Sequence, residues 1–263
     1  MSDGSAPLNY SSYLHLDEVL GAQHPRSEEH DEVLFIVIHQ VYELWFKQML
    51  HELGGLQRRL EQGDGPHALH TLRRLLAILK TVVAQIDVLE TLTPREFAGF
   101  RDRLESGSGF QSAQFRELEV VLGRRDPGVV AHHSGDTEAH ARLAAAMERP
   151  PLYDSLLRYL AARGWAVPAA ELERDVGEPR EPSPEVQELL LEVYAADGEE
   201  AQVCERLVDM DEGFQEWRYR HVKMVERTIG QKIGTGGSPG AAYLRKTLFA
   251  PVFPDLWAIR DRM

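Results

Sequence analysis

Apolar residues recur in the last third of the chain at Val203, Leu207, Met210, Phe214, Trp217, His221 and Met224, spaced 4, 3, 4, 3, 4 and 3 apart. That alternation keeps one face of a helix turned into a core. His221 is the only strongly polar member of the seam. Burying an unpaired imidazole costs about 1–3 kcal/mol, so it needs a side chain, a carbonyl or a metal ion as partner. An earlier seam has the same spacing: Phe35, His39, Tyr42, Phe46, Met49 and Leu53. It also carries one histidine where an apolar residue is expected. The helix bearing it is predicted from the Ser27-Glu28-Glu29 start to about Leu53.

Between and beyond these seams the pattern stays helical. Tyr10 and Tyr13 lie three apart in a short N-terminal arm, residues 1–20. Gly63 to Pro66 form a turn before an amphipathic helix carrying Leu69, Leu72, Leu75, Leu76, Leu79, Val83 and Ile86. Thr93-Pro94-Arg95-Glu96 reads as a capping box with proline at the first helical position. The short helix it starts has Phe97, Phe100 and Leu104 on its apolar face, and Arg101 on that same face. Arginine is rarely buried without a partner. A helix ending near Gly123 follows the loop at 106–110, and two more are predicted at about 136–148 and 151–163. Residues 174–184, with three prolines, form a surface loop, and Asp197-Gly198 turns into the last long helix. No repeat and no strand pattern emerge. The expectation is an all-α bundle forming one domain over residues 1–263.

Composition narrows the partners. Across 263 residues, 43% are hydrophobic and 27% charged, which is ordinary for a globular chain. The longest apolar run, Val33 to Ile38, is too short for a membrane span. The N-terminus has no secretory pattern, and one cysteine, Cys204, suits a reducing cytoplasm and reads as an inert thiol. A net charge of −13 argues against nucleic acid.

Three polar side chains, His39, Arg101 and His221, therefore interrupt apolar helical faces. If those faces meet, a flat cofactor such as haem, ligated by one histidine, would fill the space between two long helices. Arg101 would then suit a substrate carboxylate. No histidine has the Glu-x-x-His spacing of a di-iron bundle, and no His-Glu-x-x-His zinc motif occurs. His67, His70, His132 and His133 fall in or beside turns and are expected to face solvent. Residues 234–238, Gly-Thr-Gly-Gly-Ser, lack the Lys-Ser/Thr ending of a phosphate loop and read as a loop closing over a pocket.

Three long blocks carry a resemblance: YSSYLHLDEVLGAQHPRSEEHDEVLFIVIHQVYELWFKQ, LTPREFAGFRDRLESGSGFQSAQFRELE and WRYRHVKMVERTIGQKIGTGGSPG. In that order they resemble the tryptophan 2,3-dioxygenase family, haem enzymes that open the indole ring of L-tryptophan. The resemblance implies one haem b per subunit, with His221 as proximal ligand and Trp217 also at the cofactor. It implies that His39 meets the indole N–H, Phe35 packs on the indole, and Arg101 binds the carboxylate. Thr235 would hold the ammonium group, and Ser108 would lie near the haem edge. Tyr10 and Tyr13 would reach a neighbouring active site in a homotetramer. Phe97 stands where some members have tyrosine and others phenylalanine, so Arg101 would carry more of the carboxylate grip. The expected reaction joins both atoms of O2 to C2 and C3 of the indole, giving N-formyl-L-kynurenine. Two rivals remain: a same-fold monooxygenase making an oxindole from a substituted tryptophan such as β-methyltryptophan, and a haem sensor without turnover.

Overall fold

In the computed structural model the described residues are 8–105, 107, 109–133, 135, 137–232, 234, 241–245 and 248–263. They fold as helices joined by turns, with no strand among them. Two short helices, α1 (Tyr10–Leu14) and α2 (Leu16–Leu20), precede the long α3 (Glu32–Glu61) and α4 (Gly65–Leu89). After these come α5 (Pro94–Arg101), α6 (Ala113–Leu122), α7 (Pro127–His132), α8 (Thr137–Met147) and α9 (Leu152–Ala162). The chain closes with α10 (Ala169–Glu173), α11 (Pro184–Ala195), α12 (Glu199–Ile229), α13 (Ala241–Arg245) and α14 (Pro254–Ala258).

Helix α4 packs along both α3 and α12 and is the common wall of the core. Its contact with α12 is close because of a glycine. A Cβ on Gly213 would sit 2.6 Å from Leu79 Cδ2. The two histidine seams are sealed at one end and open at the other. Met49 and Leu53 of α3, and Val203, Leu207 and Met210 of α12, are fully buried. Phe35 and His39 at the start of α3, and His221 and Met224 near the end of α12, are only half-buried. The open ends face one cavity.

Local signals act where the sequence puts them. The Thr93 side chain accepts from Glu96 N, and Glu96 reaches back to Thr93 N at 2.8 Å. Gly123 ends α6 with φ 119°, a region that favours glycine. Helix α3 departs from expectation at both ends. It starts at Glu32, because that buried carboxylate accepts Arg26 N, Ser27 N and the Ser27 hydroxyl and so fixes the loop before the helix. It also continues through Gly54-Gly55 to Glu61, since Leu53, Leu56 and Leu60 are all fully buried. Packing outweighs the helix cost of glycine there. His133 is a correction: it is buried, with Nε2 3.2 Å from Gln111 O, because α7 turns its end into the core.

The loop at 174–184 is fastened to the helices. Arg174 and Arg180 both engage the buried Asp154 at 3.1 and 2.9 Å, and Ser183 N donates to buried Asp255 at 2.9 Å. Asp211, in α12, performs the same service for the C-terminus. Its Oδ2 accepts Val252 N, Phe253 N and Trp257 Nε1 at 2.8, 3.0 and 2.9 Å. Cys204 is fully buried, and its thiol is pushed up to about 12 by that burial, so it is inert.

Replacing Asp211 by Ala strands three donors, one of them on the fully buried Phe253. The expected loss is about 3 kcal/mol of unfolding free energy, read from urea melts. A wild-type midpoint in that variant would show that the carboxylate does not anchor the C-terminus.

Candidate active site

The cavity at the open ends of the two seams encloses about 1580 Å3 of atom-free space, its mouth included. Helix α3 supplies Phe35, His39, Tyr42 and Glu43 to its wall, and α12 supplies Trp217, Arg218, His221 and Met224. The end of α4, α5 and α6 contribute Leu89, Phe97, Arg101, Phe115 and Arg116. Thus His39, Arg101 and His221, the three residues that interrupt apolar faces, share one space. Phe35, Phe97 and Trp217 join them.

The imidazoles differ in their partners. His39 Nδ1 lies 2.7 Å from the Phe35 carbonyl. A carbonyl only accepts, so Nδ1 carries the proton and Nε2 is left as an acceptor. Desolvation holds its pKa below the ordinary value, opposed by that hydrogen bond and by the charge of Glu43. His221 makes no hydrogen bond or ion pair among the described residues. Burial, with the charge of His39 when it is protonated and that of Arg116, lowers its pKa to about 4. It is therefore a neutral imidazole with an available lone pair, the form that binds a metal. The Trp217 ring stacks on it, with centroids 5.0 Å apart and planes at 7°. Trp217 in turn meets Phe115 at 4.8 Å. The Trp217 Nε1–H is buried and has no hydrogen-bond partner among the described residues, while the Tyr42 hydroxyl on the same wall donates to Val82 O at 3.1 Å.

On the other side an aromatic group backs Phe35. Its ring centroid lies 4.1 Å from His39, 5.7 Å from Phe97 and 5.6 Å from Phe100. Arg101, at the end of α5, is half-buried beside Phe97 on the same wall. A floor of charge lies below. Buried Glu119 takes Arg116 at 2.6 Å, Arg124 at 3.0 Å and Arg218 at 3.5 Å. Those residues were not singled out in the sequence. Their signal is weak there, because an Arg-x-x-Glu pair inside an amphipathic helix reads as a solvated face.

Ser108 and Thr235 lie outside the described residues. Gly109 and Gly234, their neighbours in sequence, both line the cavity. Tyr10 and Tyr13 do not join the site within one chain. They are 75% and 68% exposed, on α1, a helix that buries no residue. Among the described residues no cluster of three His, Cys, Asp or Glu could hold a metal ion, and no helix is long and apolar enough to cross a membrane.

A sequence profile described as tryptophan 2,3-dioxygenase matches residues 1–200 and 187–263. A tryptophan 2,3-dioxygenase of Anaeromyxobacter dehalogenans is 67% identical over 259 residues, 98% of this chain and 97% of that protein. Proteins of the same name from Herpetosiphon aurantiacus and Bordetella pertussis are 56% and 44% identical, covering 97% and 98% of this chain and 98% and 92% of their own lengths. With identity this high over nearly its whole length, the chain belongs to the tryptophan 2,3-dioxygenase family.

Proposed function

We propose that this protein is a haem-dependent dioxygenase that opens the indole C2–C3 bond of L-tryptophan with O2, giving N-formyl-L-kynurenine. The observation that carries the reading is the neutral, unpartnered His221 in an aromatic cavity that also holds His39 and Arg101. The residues fit haem b, one per subunit. His221 would hold its iron, with Trp217 fixing the imidazole plane by stacking. The orphaned Trp217 Nε1–H and the arginines around Glu119 are donors suited to the carboxylates of a porphyrin. When bound, haem supplies the iron chemistry that activates O2 for attack on the electron-rich indole.

The chain's own task is placement. Arg101 grips the substrate carboxylate with its planar fork. Phe97 offers no hydroxyl for that carboxylate, which leaves the grip to Arg101. Thr235 is assigned to the ammonium group and Ser108 to the cofactor edge, on the strength of the family pattern. His39 accepts the indole N–H at Nε2, since Nδ1 is committed to Phe35 O. An imidazole held neutral by desolvation is too weak a base to strip an indole proton, so it orients the ring. Phe35, backed by Phe97 and Phe100, lies against the indole face and excludes water. The uncovered Tyr10, Tyr13, Val19 and Leu20 of the arm support exchange of that arm in a homotetramer. The single cysteine, buried as a free thiol, supports a reducing, cytoplasmic setting.

Product analysis under labelled O2 tests the reaction: two labelled atoms in the product are expected, whereas one would replace this reading with the oxindole-forming monooxygenase. In steady-state assays Arg101→Ala is expected to raise KM for L-tryptophan by about 100-fold, the worth of one bidentate charged contact. His39→Ala is expected to keep measurable turnover, and its complete loss would make His39 a base and not an orienter. The pH profile of kcat/KM follows from the lowered His39 pKa. Because the neutral form acts, activity should stay flat through neutrality and fall only as acid below the ordinary histidine value protonates Nε2. A fall beginning above pH ~6.5 would contradict that assignment.

A further inference from the structure

Behind the charged floor lies a second cavity of about 1110 Å3 of atom-free space, its opening included. Glu119, Arg124 and Arg218 form the partition, since all three line both cavities. Arg125 and Arg180 line the far side, and prolines at 151, 179, 251 and 254 stiffen the walls.

The charges here do not balance as they do elsewhere. Arg180 is answered by Asp154 at 2.9 Å and by Glu171. Arg125 has no carboxylate within ion-pair reach among the described residues, although Asp126 lines the same cavity and the charge of Asp154 is felt from further off. It is 3% exposed and forms no ion pair among the described residues; its guanidinium donates to Ala146 O at 2.9 Å and Arg149 O at 2.5 Å and meets Met147 Sδ at 3.9 Å. Its Nε–H has no acceptor, and neither has the Nε–H of Arg218, which is 9% exposed. Arg218 otherwise holds Ala250 O at 3.2 Å and stands 3.5 Å from Glu119 Oε1. Burial pushes Arg125 down to about 10, which records how poorly that charge is solvated. A buried guanidinium without a carboxylate is rarely tolerated, because desolvating a charge is costly unless an opposite charge meets it.

We propose that this second cavity binds a small oxyanion, either phosphate or a short carboxylate, with Arg125 as its main counter-charge and Arg218 and Arg124 beside it. Such an anion competes with Glu119 for Arg218 and Arg124. Those two arginines also face the first cavity, so occupancy of one space is felt in the other. The effect is reciprocal, as any coupling between two binding sites must be. The binding stands without the haem assignment; only the coupling rests on it.

The test uses the haem-loaded full chain, titrated calorimetrically with inorganic phosphate and, separately, with acetate, against sodium chloride at matched ionic strength. One saturable site per chain is expected for at least one of the two anions, and the better of them names the class. Arg125→Gln should weaken that binding by about tenfold or more, the worth of one charge-assisted contact. Ala250→Glu, at an exposed position, brings a carboxylate to the rim and should compete with the added anion, so it keeps the test valid if Arg125→Gln fails to fold. Saturating anion should also shift the haem absorption band. No saturable binding of either anion at millimolar concentration, or equal binding by wild type and Ala250→Glu, overturns the site. Binding that leaves the haem band unmoved overturns the coupling.

Discussion

The close seat of α12 on α4 at Gly213 governs what the rest of the molecule can present. With no side chain there, the helix comes within van der Waals reach of Leu79. The next turns of α12 are then held at a fixed height above α4 and carry Trp217 and His221 along the cavity wall. Helix α3 lies on the same α4 and brings Phe35 and His39 to the same space. Two helices, each of thirty residues or so, are thus indexed by a third. A cavity between rigid helical walls holds its side chains more precisely than loops would. That is what positioning a flat cofactor and a flat substrate against each other requires.

Electrostatics then divide the protein into two kinds of buried charge. Asp154, Asp211 and Asp255 are buried carboxylates that accept several donors each, and all of them fasten loops or the C-terminus to the bundle. Around the active cavity the balance is reversed. Arginines 101, 116, 124 and 218 line it against Glu43 and Glu119, although the whole chain carries −13. A cationic pocket in an acidic protein favours a ligand bearing carboxylates while the outer surface stays soluble. Burial above all, with the charge of Arg116 added to it, keeps His221 from protonating. One arrangement therefore serves both anion recognition and the availability of a neutral imidazole.

Much of this was legible because it lies on helical periodicity. The 4, 3 spacing of the seams exposed His39 and His221 as misfits, and the capping box fixed the start of α5 and hence the face bearing Arg101. What the pattern could not reveal was closure between distant segments. Nothing local marks Glu119 as the centre of three arginines, since Arg218 comes from another helix and Arg124 from beyond the end of α6. His133 looked like a turn residue because α7 is too short for its apolar face to show a period. The expected end near Leu53 fell short of Glu61 because the burial of Leu56 and Leu60 carries the helix on through Gly54-Gly55. Each of these misses is a tertiary contact overriding a local signal.

The two imidazoles make a final point about how chemistry is divided in such a site. Both are neutral, but for different reasons that suit different tasks. His39 is tied through Nδ1 to the carbonyl one turn earlier on its own helix, so its tautomer and ring orientation are set by α3 alone. It can hold a donor in place but has little freedom to take a proton and swing away. His221 has no such tether; only the stacked Trp217 restrains its plane. Its free lone pair is bought with burial and adjacent positive charge. A base would need the opposite of what His39 has, namely a carboxylate aimed at Nδ1 to stabilise the imidazolium. The nearest acid, Glu43, is a full turn further along α3 and is held by Gln114 at 2.8 Å. The protein's contribution to reactivity accordingly lies in orientation and in a preset field, and proton transfer by its side chains has no structural support at this position.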